Sequence, residues 1–313
     1  MRAVTYRQYG DPTSTNEPIL EVGEQPDPKV GPSEVLVEVR SAGVNPVDWK
    51  IITGGLDPMM NVDFPAIPGW DVSGVVREVG PDTPEFAPGD EVIAYARKDW
   101  VQGGTYAELV TVPVRALARK PAALSWDQAA GLPLAGQTAY RTLRRLEVDA
   151  DTTLLVHAAA GGVGLLAVQI ARSLGATVIG TASEANHDRL RALGAIPVTY
   201  GDGLVERVRE IAPDGVDAVA DFVGGVLEDT LAVLADGGRH ASVADPTVRD
   251  HGGSWVWVRP DGAELQRLAD LAERGDLTVD VAAAYPLEQV RQAFARSQEG
   301  HVSGKLVIRV SEG

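Results

Sequence analysis

The chain has 313 residues and no cysteine, which excludes disulfides, thiolate nucleophiles and zinc sites built on sulfur. Its 44% apolar and 23% charged residues are ordinary for a soluble globular protein, and its length suits two domains. Acidic residues outnumber basic ones 44 to 28, and a net charge of −16 repels nucleic acid and anionic lipid, so neither is an expected partner.

The N-terminal third reads as β-rich. Val35 to Val39 and Val72 to Val79 are apolar runs between turn signals such as Gly31-Pro32, Pro68-Gly69 and Pro88-Gly89, the pattern of a compact barrel-like fold. The segment MRAVTYRQYG lacks a signal peptide's apolar stretch, and no apolar run reaches membrane-spanning length, so a cytoplasmic location is expected. Near Pro121 the character changes to short strands alternating with helical stretches, the signature of a parallel α/β sheet. Strands are predicted at 154–156, 177–179, 198–200, 216–222 and 238–244, with 255–258 as a sixth, at an edge. Helices are predicted over 163–174, stopped by Gly175, and over 187–193, stopped by Gly194. An amphipathic helix over 263–274 carries Leu265, Leu268 and Leu271 on one face; another follows over 287–297. The final strand, 305–310, is expected to return to the N-terminal domain. The expected division is 1–122 with 260–313 as one domain and 123–259 as the other.

The chemistry is read from Leu154 to Gly164. A strand ends at His157, a turn of small residues follows, and a helix begins near Val163. A helix N-terminus offers unpaired N–H groups and a positive dipole end, and small residues let a diphosphate approach the backbone. Ala160, Gly161, Gly162, Val163 and Gly164 are therefore cofactor-binding candidates, in the spacing Ala159-x-Gly161-x-x-Gly164 of a dinucleotide fingerprint. A tight turn without a ligand would use the same residues. The second strand ends Gly180-Thr181-Ala182-Ser183 with no carboxylate at its end, although Glu184 stands one step beyond. A carboxylate there would meet the ribose 2′-hydroxyl of NAD and repel a 2′-phosphate, so its absence favours NADP. Thr181, Ser183, Arg189 and Tyr200, with His187 nearby, are the candidates for the 2′-phosphate side. Ligands sit at the carboxyl ends of parallel strands, so Phe222 and Val223 are expected to flank adenine or ribose, and Ser242 and Val243 to approach the nicotinamide. The five histidines are scattered, and no metal site is expected.

Taken together, these pieces resemble the medium-chain dehydrogenase/reductase superfamily, in its zinc-free quinone oxidoreductase (zeta-crystallin-like) branch. The resemblance is carried by Gly43-Val44-Asn45-Pro46-Val47-Asp48, by Pro68 to Val76, by Gly103 to Glu108, by Ala130 to Ala139, by the turn from Val156 to Gly164, and by Gly304-Lys305-Leu306-Val307. It implies a GroES-like substrate domain beside a Rossmann domain, with a cleft between them. It also implies NADPH-dependent hydride transfer to a quinone or an activated double bond. Where zinc-dependent relatives carry their Cys and His ligands, this chain has Asn45, Trp70 and, near the third, Ala135, from which no tetrahedral zinc site is built.

The resemblance further marks Asn45 and Asp48 as a cleft pair, although Asn-Pro-x-Asp is also good turn chemistry. It marks Trp70 as a pocket wall or a core residue, and Thr138, with Gln137, as lying near the nicotinamide. Lys50 is a proton donor or a solvated lysine, and Lys305 a phosphate ligand or a structural residue. The chain departs from the family pattern at Trp49, Lys50 and Leu56, where tyrosines are common, and at Asn186, where NADPH-binding relatives commonly carry a lysine. An enoyl-thioester reductase, or a low-turnover NADPH-binding sensor or structural protein, remains an alternative. The apolar edge at 255–258 suits a homodimer.

Overall fold

The computed structural model describes residues 1–311; the last two residues of the expected 260–313 segment lie outside the described residues. In chain order the elements are β1 (Arg2–Thr5), β2 (Glu21–Glu24), β3 (Glu34–Val44), α1 (Pro46–Ile52), β4 (Asp71–Val79), β5 (Glu91–Tyr95), β6 (Leu109–Pro113) and β7 (Leu117–Arg119). Then come α2 (Trp126–Ala130), α3 (Pro133–Arg145), β8 (Thr153–His157), α4 (Gly164–Ser173), β9 (Thr177–Ala182), α5 (His187–Ala192), β10 (Ile196–Thr199) and α6 (Leu204–Ile211). The remainder is β11 (Val216–Asp221), α7 (Leu227–Val233), β12 (Leu234–Ser242), β13 (Ser254–Trp255), α8 (Gly262–Glu273), β14 (Val281–Pro286), α9 (Val290–Gln298) and β15 (Lys305–Arg309).

The chain forms two compact units, Met1–Leu134 with Arg259–Gly313, and Ala135–Val258. The first unit is built on a seven-stranded sheet in the order β14-β15-β3-β4-β5-β7, with β6 also pairing β3, and on the hairpin β1-β2. Val35, Val37 and Val39 alternate along β3 and point into the core without solvent exposure, as period-two patterning requires. The closing strand β15 pairs antiparallel with β3, Leu306 opposite Val44, so the tail does return to the first unit. Gly43 lets α2 and β4 come close to the end of β3: a Cβ there would lie 2.5 Å from the Ala130 carbonyl oxygen and 2.9 Å from Asp71 Cβ. Helix α2, capped by Ser125, packs on β3, β4 and β15, which draws residues 123–134 into this unit and moves the division twelve residues beyond the expected 122. Helix α8 starts on Asp261, whose carboxylate accepts from Glu264 N at 3.1 Å. Its buried face is Leu265, Leu268, Ala269 and Ala272; Leu271 is only half-buried.

The second unit holds a six-stranded sheet in the order β10-β9-β8-β11-β12-β13, with every pairing parallel. Numbered within the unit, that order is 3-2-1-4-5-6, the doubly wound Rossmann arrangement. Leu155, Ile179, Val198, Val216 and Val219 of the strands pack with Leu204 and Val208 of α6 and Val233 of α7. Burying such a side chain stabilises by roughly 1.5–3 kcal/mol, so the near-continuous apolar runs of β8 and β11 belong in a sheet covered on both faces. The strand order reverses between β8 and β11, and it is outside the carboxyl ends of strands at such a point that open α/β sheets bind ligands.

Candidate active site

Strand β8 delivers its last residue, His157, to the carboxyl edge of the second unit's sheet. The next residue, Ala158, turns the chain with φ +54°, a left-handed conformation that costs a non-glycine residue energy and persists only where its surroundings hold it. Thr181 does the holding: its Oγ1 accepts from Ala158 N at 3.0 Å and its carbonyl from Ala159 N at 2.9 Å. Gly161 N then donates to Ala158 O at 2.9 Å, tightening the turn. A Cβ at Gly164 would lie 2.1 Å from Ala158 O and 2.7 Å from Ala159 Cα, so only glycine lets α4 begin this close to the strand end. The N–H groups of Gly162 and Val163 find no acceptor among the described residues, and with the dipole of α4 they leave a positive, small-residue cradle. That cradle fits a diphosphate.

A buried polar layer lies one residue deep along the same edge. His157 is in register with Asp221, and Asp221 with Ser242, so the last residues of β8, β11 and β12 stand side by side; Thr181 of β9 completes the row. All four are buried. Asp221 Oδ1 accepts from Val223 N at 2.8 Å and Gly224 N at 2.9 Å, while Oδ2 accepts from Ser242 Oγ at 2.6 Å. Ser242 Oγ in turn accepts from Ala244 N at 3.1 Å and Asp245 N at 2.9 Å. His157 Nε2 lies 3.2 Å from Thr230 Oγ1. Burial holds the imidazole's pKa below its ordinary value, against the charges of Asp221 and Asp229.

The expected cofactor residues sort by this geometry. Ala160 through Gly164 form the cradle. The hydroxyls of Thr181 and Ser242 are committed inside the layer, where they shape the loops. Ser183 and Tyr200 follow the paired ends of β9 and β10, where Ala182 is opposite Thr199, so they come together at one corner. Ser183 Oγ accepts from Asn186 Nδ2 at 3.0 Å, Tyr200 is about half exposed, and Arg189 is half-buried on α5. Phe222 is half-buried and Val223 exposed on the loop after β11; Val243 N extends β12 by donating to Asp221 O at 3.1 Å. Thr138 is buried on α3 beside Gln137, whose amide is buried with neither its nitrogen nor its oxygen partnered, the mark of a side chain that a ligand or water would complete.

The first unit holds a second cluster, fully buried. Asn45 precedes α1, and its amide is fixed at both ends: Lys305 Nζ donates to Oδ1 at 2.5 Å and Nδ2 donates to Asp71 Oδ2 at 2.9 Å. Lys305 Nζ also donates to Val44 O at 3.0 Å, and Asp71 Oδ1 accepts from Leu134 N at 2.8 Å in the first turn of α3. Asp48 Oδ2 accepts from Asn45 N at 2.8 Å and Tyr106 Oη at 2.9 Å, while its Oδ1 has no partner. Burial pushes Asp48 up to about 7; the hydrogen bonds from Asn45 and Tyr106 resist this, the Asp71 charge adds to it and Lys305 opposes it. Burial likewise raises Asp71 to about 6, against the pull of Lys305 and the Asn45 and Leu134 donors. Lys305 is lowered by the same burial, with Asp71 and Asp48 opposing. The two acids, beside one amine, thus hold a titratable proton near neutrality.

For three residues of the first unit the structure falls on one of the two roles the sequence left open. Lys305 does not reach for a phosphate: its ammonium is buried and committed to Asn45 and Val44. Trp70 is core, packed edge-on against Tyr95 with ring centroids 5.9 Å apart. Lys50 is exposed, 5.6 Å over the Trp49 ring, and takes no part in the buried cluster. Asn45 and Asp48 do come together, joined by two residues that sequence reasoning passed over, Asp71 and Tyr106. A carboxylate at the head of the run Val72 to Val76, which has no other charge, was the available signal for Asp71.

Two family profiles match the chain: "Alcohol dehydrogenase GroES-like domain" over residues 31–122 and "Zinc-binding dehydrogenase" over residues 193–308. The chain is 34% identical over 290 residues to an NADPH-dependent alkenal/one oxidoreductase, chloroplastic, of Arabidopsis thaliana, covering 90% of this chain and 73% of the relative. Among solved structures it is similar to an NAD-dependent alcohol dehydrogenase at TM-score 0.88 and 33% identity, over 99% of this chain and 100% of that one. It is also similar to the quinone oxidoreductase from Coxiella burnetii, at TM-score 0.86 and 32% identity over 99% of each chain. Among the described residues no group of three or more His, Asp or Glu side chains is placed to hold a metal ion, and no helix is long and apolar enough to cross a membrane.

Proposed function

Because the chain belongs to the medium-chain dehydrogenase/reductase superfamily, in its quinone oxidoreductase branch, we propose that it is an NADPH-dependent, zinc-independent reductase of quinones and enones. The observation that carries this is the cradle of Ala160 to Gly164 at the N-terminus of α4, whose unpaired N–H groups suit a diphosphate. NADPH bound there supplies a hydride from its nicotinamide ring. The 2′-phosphate falls to the corner of Ser183, Arg189 and Tyr200, which holds no carboxylate at the strand end. Asn45, which the family resemblance marks as a cleft residue, is the proposed donor to the substrate oxygen, through the second N–H of its amide, the one that Lys305 and Asp71 leave unused. Asp48 keeps a proton close to that oxygen's partner network near neutral pH. Zinc independence is supported by the donor set, since Asn45 and Trp70 offer no ligand of the kind the metal prefers.

A homodimer in the cytosol belongs to the same proposal. It is supported by the half-buried Trp255 and Trp257 at the β13 edge of the sheet, and sedimentation measures it. The activity is tested by following NADPH oxidation against naphthoquinones, alkenals, a saturated alcohol with NADP, and an enoyl thioester. Turnover of the first two classes is expected. Turnover of the thioester alone, or binding without turnover of any class, overturns the proposal.

A further inference from the structure

On the reading that NADPH lies along the carboxyl edge of the second unit's sheet, we propose that Asp221 is a positioning residue that sets both cofactor-facing loops, 222–226 and 243–245, through Ser242. Asp221 is buried at the end of β11, in register with Ser242 of β12. One carboxylate oxygen accepts two successive N–H groups, Val223 and Gly224, and so fixes the first loop. The other accepts the single proton of the Ser242 hydroxyl. Only because that proton is directed at Asp221 are both lone pairs of Ser242 Oγ turned to the N–H groups of Ala244 and Asp245, which fixes the second loop. One acceptor-only group thereby satisfies four backbone N–H groups on two adjacent loops. An amide in its place breaks the chain of donors. If its oxygen stays on Val223 and Gly224, its NH₂ points at Ser242 Oγ, which must turn its proton away and give up one of the two loop N–H groups. If it flips, Val223 and Gly224 face a donor.

The test uses the full chain, with NADPH as the probe. Its Kd is measured by fluorescence titration for wild type, Asp221→Asn, Ser242→Ala and the double variant, alongside kcat at saturating NADPH. Amide exchange is read in the cofactor-free protein. Each single change is expected to raise the Kd ~10-fold, with the double variant little worse than either, because the two residues act as one unit. kcat at saturating NADPH is expected to fall by a smaller factor than the Kd rises, a split that a general loss of structure would not produce. In cofactor-free Asp221→Asn, exchange is expected to quicken at Ala244 and Asp245 as well as at Val223 and Gly224. If Asp221→Asn does not fold, Ser242→Ala carries the test. Wild-type binding with unchanged Kd in the variants overturns this inference alone, as does additive behaviour of the pair. Absence of NADPH binding by the wild type overturns the functional reading and this inference with it.

Discussion

Lys305 and Asn45 are 260 residues apart in the chain, yet their side chains meet in the first unit's core. Such a buried ammonium is tolerated because Asn45, Val44 and the neighbouring carboxylate of Asp71 answer it, and removing one member leaves the others buried without a counterpart. Lys305→Met is therefore expected to destabilise the protein by about 3–5 kcal/mol in urea unfolding. A loss under about 1 kcal/mol, the level of an exposed pair, would contradict a charged, buried Lys305. The acids make a second prediction. In the unfolded chain Asp48 and Asp71 titrate near 3.8, and in the fold near 7 and 6. Both pKa values are raised, so the folded state binds more protons between these limits. The stabilisation is whole below pH ~4 and is lost as pH rises to about 6 for Asp71 and about 7 for Asp48. Asp48→Asn is expected to flatten its share of that slope. Measured between pH 5 and 8, wild type loses stability relative to the variant by about 2–3 kcal/mol. A difference that grows with pH in the opposite sense contradicts the assignment.

Helix α4 shows what local sequence can specify. Its strand, its small-residue turn and its Gly175 stop are contiguous, so period, punctuation and cap could all be read from one stretch of chain. The polar layer beside it was not legible in the same way. Thr181, His157, Asp221 and Ser242 become neighbours only through the register of four strands, and nothing in the sequence near Ser242 shows that its hydroxyl belongs to Asp221. Likewise β13 is two residues long where an apolar run of four suggested a full strand, because apolar character alone does not supply a pairing partner. Gly164→Ala tests the α4 junction. Its Cβ meets backbone at 2.1 Å, so the helix start must shift; a loss of about 1–3 kcal/mol and a weaker grip on NADPH are expected from thermal unfolding and titration. An alanine variant with wild-type stability and affinity would show that the close approach is not required.

At the scale of the whole molecule, fold class and the return of the tail to the first unit followed from the order of elements and the family resemblance. The division at Leu134 did not, since α2 looks like part of the α/β stretch by composition but packs on β3, β4 and β15. The acidic surface matters for the ligand too. With a net charge of −16, a tetra-anionic region of cofactor is attracted only by local donors, so affinity depends on the α4 cradle and the 2′-phosphate corner. A ligand that binds the folded protein alone stabilises it by ≈ 2.7 kcal/mol at one hundred times its Kd, so NADPH is expected to raise the melting temperature and NADH to raise it less at equal concentration. Equal shifts would remove the 2′-phosphate from the account. The most direct measurement is calorimetric titration of NADPH into wild type and Gly164→Ala. Saturable one-site binding by wild type, weakened in the variant, is predicted; no heat with wild type, or identical isotherms for the two proteins, would contradict a cofactor held at the start of α4.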